Sequence, residues 1–232
     1  MIMKTLPTLL AALLLAGATA QGATYSFSYN SGFQDGGVIP DANTTGWTDI
    51  RTISGVSSVL NNVTVLINVS GGANGDLYAF LNHDGTMVPL LNRIGTGSGD
   101  PIQNLYGFST SGFNNIRLDD AGSLNIHNVE VPSSTPVSYH PDGGSLNAAF
   151  GTGNLNGTWT LFFADKASGG GSGPSTVVSW GLEITAVPEP ANVALGVFGG
   201  LSLVVVVARR RQQLWGRIRR WRTAFAHWVD AV

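Results

Sequence analysis

Apolar and polar positions alternate in short runs along this chain, glycine-rich stretches punctuate them, and no helical period is sustained from Ala23 to Thr185. Successive side chains of a strand point to opposite faces, so each such run predicts a strand with one buried face. Tyr25, Phe27 and Tyr29 share one face, as do Val63, Val65, Ile67 and Val69. Leu77, Ala79 and Leu81 alternate with Tyr78 and Phe80, which predicts a strand buried on both faces. Further strands are predicted over Phe113 to Leu118, Leu124 to Val131, Thr158 to Ala164 and Val177 to Thr185. Turns are expected at Gly71 to Gly75, His83-Asp84-Gly85, Gly95 to Gly99 and Gly169 to Gly173, because glycine and aspartate tolerate the backbone angles that reversals need. About eight or nine short strands joined by such turns predict an all-β fold, an antiparallel β-sandwich.

Both ends of the chain depart from this pattern. At the N-terminus, Lys4 precedes an apolar run from Leu9 to Ala16, followed by Gly17-Ala18-Thr19-Ala20-Gln21. A charged start, a short apolar run and small residues at Ala18 and Ala20 predict a signal peptide over residues 1–20, cut after Ala20. At the other end, Val187-Pro188-Glu189-Pro190 leads into the eighteen residues from Ala191 to Ala208 and then Arg209-Arg210-Arg211. At about 1.5 Å per residue, a helix over 191–208 reaches about 27 Å, enough for a hydrocarbon core. The three arginines would hold its far end in the cytoplasm, which leaves the body of the chain outside. Beyond them Leu214, Ile218, Trp221, Phe225 and Trp228 fall on one helical face, with Arg217 and Arg220 beside it. Residues 212–232 therefore read as a basic amphipathic tail at the inner membrane interface.

Composition sharpens the division. The chain has 232 residues, 11% of them charged, 31 glycines and no cysteine. The glycines keep no three-residue period, which excludes collagen, and the missing cysteines exclude a disulfide scaffold. Residues 21–186 suit one domain in length. The net charge of −2 hides an asymmetry, because seven of the twelve basic residues lie between Arg209 and Arg222. The body holds only Arg51, Arg93, Arg117 and Lys166 against carboxylates running from Asp35 to Glu183. An acidic body repels phosphates, so no nucleic-acid partner is expected.

The Pro-Glu-Pro, apolar span and arginine cluster together resemble a PEP-CTERM sorting signal over residues 187–211. The resemblance implies recognition by an exosortase-like membrane protease-transpeptidase, after delivery by the secretion machinery, with cleavage near the Pro-Glu-Pro and transfer to the cell surface. It carries over to Val187, Pro188, Glu189 and Pro190, and to Arg209, Arg210 and Arg211. Members occur in Gram-negative bacteria that make exopolysaccharide, and their signal normally ends soon after the arginines, whereas this chain runs on for twenty-one residues. A second resemblance spans about residues 39 to 185. Ile39-Pro40-Asp41, Gly75-Asp76-Leu77, Asp84-Gly85-Thr86, Phe113 to Ile116, Tyr139-His140-Pro141, Gly157-Thr158-Trp159 and Ser179-Trp180-Gly181-Leu182 resemble the proprotein convertase P domain, or P/Homo B. That implies a jelly-roll sandwich whose core is anchored by Trp159 and Trp180. In that family the domain usually follows a subtilisin-like protease, a role not expected to transfer to this chain.

The candidate chemistry is sparse. A serine–histidine–aspartate hydrolase needs a histidine that joins an activated serine to a carboxylate. The body offers only His83, His127 and His140, with no Gly-x-Ser-x-Gly elbow. His83 is expected in a turn, His127 on a strand and His140 in a loop, each as a surface or rim residue. No catalytic residue and no zinc ligand set is assigned. Calcium is the one ion the residues invite, through Asp76, Asp84, Asp119, Asp120 and Asp165 in or beside turns. Asn-x-Ser/Thr triplets stand at Asn43, Asn62, Asn68 and Asn156, and the Asn, Ser and Thr content also suits carbohydrate contact. The expectation is an exported, non-catalytic binding or structural protein of the envelope or extracellular matrix, with extracellular polysaccharide among its partners. The alternatives are a calcium-dependent adhesion or lectin-like module and, third, a polysaccharide-acting enzyme with two carboxylates.

Overall fold

A computed structural model describes residues 22–56, 59–97, 101, 103–132, 138–169, 173–187, 196 and 198–211. It divides into a compact unit, Gly22–Val187, and a second made of the two ends. The compact unit is all-β. Among the described residues its ten strands are β1 (Ala23–Tyr29), β2 (Asn43–Ile53), β3 (Val59–Ser70), β4 (Leu77–His83), β5 (Thr86–Asn92), β6 (Phe113–Leu118), β7 (Leu124–Asn125), β8 (Ser138–His140), β9 (Gly157–Asp165) and β10 (Thr176–Val187). Among the described residues, two short helices, α1 (Gln103–Tyr106) and α2 (Leu146–Phe150), sit in connections.

The strands form a six-stranded sheet in the order β1-β10-β3-β6-β8-β7 and a four-stranded sheet in the order β2-β9-β4-β5. Their inner faces share one core, with Val63, Val65, Ile67, Phe113, Trp180 and Leu182 from the first sheet and Trp47, Leu77, Leu81, Trp159 and Phe163 from the second. The six-stranded sheet is mixed, contrary to a wholly antiparallel sandwich, because β8 pairs in parallel with β6 and with β7. Gly122 permits that return: a Cβ there would lie 2.3 Å from the Tyr139 carbonyl carbon. Parallel pairing puts Leu118 beside Tyr139, and both are buried.

The expected strands at residues 63–69, 113–118, 158–164 and 177–185 all lie within observed ones. Asp84 and Gly85 make a two-residue hairpin between β4 and β5, with φ of 49° and 83°, as an Asp-Gly turn with left-handed backbone requires. Two expectations change. The second face of β4 is only half-buried, and Phe80 is covered there by Phe162, stacked at 4.7 Å. The strand expected from Leu124 to Val131 stops at Asn125, whose side chain accepts from the His127 amide and turns the chain into a 3-10 turn, Ile126–Asn128. An Asn side chain that bonds its own backbone two residues on competes with the ladder.

In the second unit, residues 198–211 are helical (α3). Among the described residues no helix is long and apolar enough to cross a membrane. The expected span also includes 191–195 and 197, which lie outside the described residues. The expected signal-peptide residues Ala18 and Ala20, the expected motif residues Pro188, Glu189 and Pro190 and the expected tail 212–232 lie outside them too.

Candidate functional site

The end of β3, the turn after it and the loop before β6 line an open cavity of about 560 Å³. β3 contributes Asn68 and Ser70, the turn contributes Asn74, and the loop and the start of β6 contribute Thr110, Ser111 and Asn114. Antiparallel register explains the meeting: Val69 pairs with Phe113, so polar stretches forty residues apart in the chain come to one end of the sheet. Gly112 lets the loop seat against β3. Its φ is +74°, and a Cβ there would lie 2.5 Å from the Val69 carbonyl oxygen.

Asn74 holds the loop in place. Its amide N–H donates to the Thr110 carbonyl at 2.8 Å, and its Nδ2 donates to Thr110 Oγ1 at 3.2 Å and to the Gly112 carbonyl at 3.0 Å. The Thr110 hydroxyl is itself donated to the Glu130 carbonyl, so it accepts from Asn74 and thereby fixes which end of the amide is nitrogen. The buried Asn74 Oδ1 is left without a hydrogen-bond partner. Val131 and Pro132 give the cavity an apolar wall. Among the described residues that line it, none is charged.

A second feature is a buried carboxylate pair. Leu77 pairs with Asp165, so Asp76 at the entry to β4 meets Asp165 at the end of β9. Each is only 5% exposed. Burial, the Asp165 charge and a smaller push from Asp41 raise the Asp76 carboxyl to about 6, while Arg93 pulls the other way. Burial also raises Asp165, against donation from the Ala167 and Ala42 amides. Neither carboxylate lines the cavity.

Of the other aspartates of the expected calcium set, two are occupied elsewhere. Asp119 accepts from Thr64 Oγ1 and the Ala121 amide. Asp120 accepts from the Leu146 and Asn147 amides and the Ser145 hydroxyl, which caps α2. Asp84 sits exposed in the hairpin turn. Among the described residues no three His, Cys, Asp or Glu are grouped to hold a metal ion.

The histidines differ from expectation. His83 is the last residue of β4 and 3% exposed, not a rim residue. Its ring stacks on Trp159 at 4.1 Å, and its nitrogens face the Thr158 carbonyl at 2.9 Å and the Asn154 carbonyl at 2.6 Å. His127 lies in the 3-10 turn, with Nδ1 2.8 Å from Asp142 Oδ2 and Nε2 2.7 Å from the Thr96 carbonyl. Burial disfavours its charge, but the bonds to Asp142 and Thr96 outweigh that and raise its pKa. With a carbonyl on the second nitrogen, this pair has no serine to activate. His140 ends β8, exposed.

Of the four Asn-x-Ser/Thr asparagines, three are built into the fold. Asn43 accepts from the Thr45 amide, Asn62 bonds Thr64 and Asn147, and Asn156 bonds the Val56 backbone in both directions. Only Asn68 reaches the cavity. Of the residues expected to carry sorting, Val187 ends β10, and Arg209 to Arg211 are helical and exposed. Sequence reasoning missed Ser70, Asn74, Thr110, Ser111 and Asn114. Their one signal is that two Gly/Ser/Thr/Asn stretches flank strands that pair.

No protein-family model matches the chain, and no curated protein matches it. Among solved structures it is similar to the serine protease of Aeromonas sobria in complex with a chaperone, at 15% identity and a TM-score of 0.42, covering 76% of this chain and 29% of that one. The serine protease of Aeromonas sobria alone gives 16% identity and a TM-score of 0.41, covering 75% of this chain and 29% of that one. The chain thus spans about a third or less of the proteins it matches.

Proposed function

We propose that this chain is an exported, surface-sorted, non-catalytic binding or structural protein of the bacterial envelope or extracellular matrix, cut by an exosortase-like transpeptidase. The observation that carries the reading is the order of segments: a signal-peptide pattern, a compact β unit ending at Val187, then Pro188-Glu189-Pro190, an apolar run and three arginines. A cut after β10 would release the compact unit with its strands intact. The P-domain-like jelly roll remains the finer reading of the fold, supported by two sheets that bury Trp159 and Trp180.

A binding role is supported by the cavity, whose described lining supplies amides and hydroxyls. The experiment is intact mass spectrometry of the chain recovered separately from membrane and medium of a host carrying an exosortase. The expected species begins near Gln21 and ends between Val187 and Pro190. Full-length material in the membrane alone would sink the sorting reading.

A further inference from the structure

We infer that the cavity at the β3–β6 end binds an uncharged saccharide unit, a reading that rests on the proposed non-catalytic binding role and names its ligand class. Its volume of about 560 Å³ falls within the roughly 300–1,000 Å³ of small-molecule sites. The lining then selects the chemistry. An ion needs an opposite charge to offset its desolvation, and no charged side chain stands among the described lining residues. A purely apolar ligand would offer no hydrogen bonds to the amides and hydroxyls of Asn68, Ser70 and Ser111. Carboxamides and hydroxyls both donate and accept, and so does each hydroxyl of a sugar. Such groups pair with one another in either direction.

The wall and the floor add to this. Val131 is 71% exposed and offers an aliphatic surface to the C–H face of a sugar ring. Behind that surface Asn74 is fully buried, and its bonds to Thr110 and Gly112 fix the shape of the wall. The compact unit carries this cavity at the Ser70 end of β3, while Val59 at the other end of that strand pairs with Val187. Binding and sorting therefore sit at opposite ends of one strand pair.

The test is saturation-transfer NMR on the full chain in zwitterionic, sugar-free micelles. Cellobiose, maltose and diacetylchitobiose are the uncharged probes, glucuronic acid and glucosamine the charged ones, and triglycine a neutral peptide. Saturable transfer from at least one uncharged sugar, with weaker transfer from both charged ones, is expected. Ser111→Trp should block the cavity and weaken binding by at least about tenfold. Asn114→Ala, at an exposed strand position, should weaken it by about threefold with unchanged circular dichroism, which guards against a misfolded Ser111 variant. No saturable sugar, equal binding of charged sugars, binding of triglycine alone, or binding indifferent to both substitutions would each overturn the inference. Mass at residues 187–190 is read independently of occupancy. A chain that is cut and displayed but binds no sugar overturns the saccharide reading alone, and a chain that binds sugar but is never cut overturns the sorting reading alone.

Discussion

Asp49 and Asp76 are buried almost equally, at 7% and 5% exposure, yet they sit in opposite electrostatic circumstances. Asp49 lies on the inner face of β2, where its Oδ2 accepts from Trp180 Nε1 at 2.6 Å and from Arg51 Nε at 2.7 Å. Arg51 in turn lies over the Tyr29 and Phe33 rings. One carboxylate thereby joins the four-stranded sheet to the central tryptophan of the other. Asp76 has another carboxylate, Asp165, beside it. Burial alone does not decide what a charge contributes; the partners in reach decide it. At Asp49 the charge binds two sheets together, and at Asp76 it is a cost that the fold carries.

The sharpest way to break this contrast is Asp49→Ala. It leaves the Trp180 N–H and the Arg51 guanidinium without their acceptor, and should cost about 3 kcal/mol in chemical denaturation. A loss under about 1 kcal/mol would mean that Asp49 resembles Asp76 after all.

His127 and Asp142 form an intermediate case, a pair whose charge can be switched. The folded pKa of His127 is raised above its ordinary 6.5. Its stabilising charge is therefore fully present below the unfolded value and is lost as pH rises through the folded one. His127→Gln should cost about 1.5 kcal/mol at pH 6 and progressively less toward pH 9. A cost independent of pH would show that the ring, not its charge, matters.

Asp76→Asn tests the other side of the comparison. A carboxyl at about 6 when folded, against 3.8 ordinarily, favours the fold below about pH 4 and loses that contribution as pH rises through 6. The amide should raise Tm by about 2–4 °C at pH 7.5, about 1 kcal/mol, and by nothing measurable at pH 3.5. Thermal melts at the two pH values decide it.

The smallest effect belongs to Arg117 and Glu183, a two-pronged pair on the outer face of β6 and β10, each about a third exposed. Donation from Arg117 holds the Glu183 carboxyl below its ordinary value. Water and salt screen such a pair, so Arg117→Gln should cost about 0.5 kcal/mol, less at high salt.

Legibility in the sequence follows from the same partners. Strands whose buried face is apolar, such as β3 with Val63, Val65 and Ile67, announce themselves by alternation. β2 does not, because its inner face includes Asp49 and Arg51 while Ile50 is 62% exposed, so hydrophobic parity points the wrong way. β5 is concealed by Pro89, which an edge strand tolerates. Trp159 and Trp180 were legible as core anchors because their size leaves them little alternative, and both are buried. Their polar tips were not legible: one N–H reaches the Leu155 carbonyl four residues back, the other Asp49, far away in the chain. The cavity was least legible of all. Asn, Ser, Thr and Gly are also what turns are made of, and only the pairing of β3 with β6 makes a binding wall of them.

The β3–β10 ladder also has a mechanical meaning. Ser70 pairs with Thr176 at one end and Val59 with Val187 at the other. A load applied between the cavity and Val187 runs parallel to these two antiparallel strands and pulls on opposite ends of their ladder. It strains the backbone hydrogen bonds together, in shear, instead of peeling them one by one. β10 is also bonded to β1 on its other side, from Ala23–Ala186 to Tyr29–Trp180. The strand that leads into Pro188-Glu189-Pro190 is thus gripped on both edges, and a chain held there would meet tension along its stiffest direction.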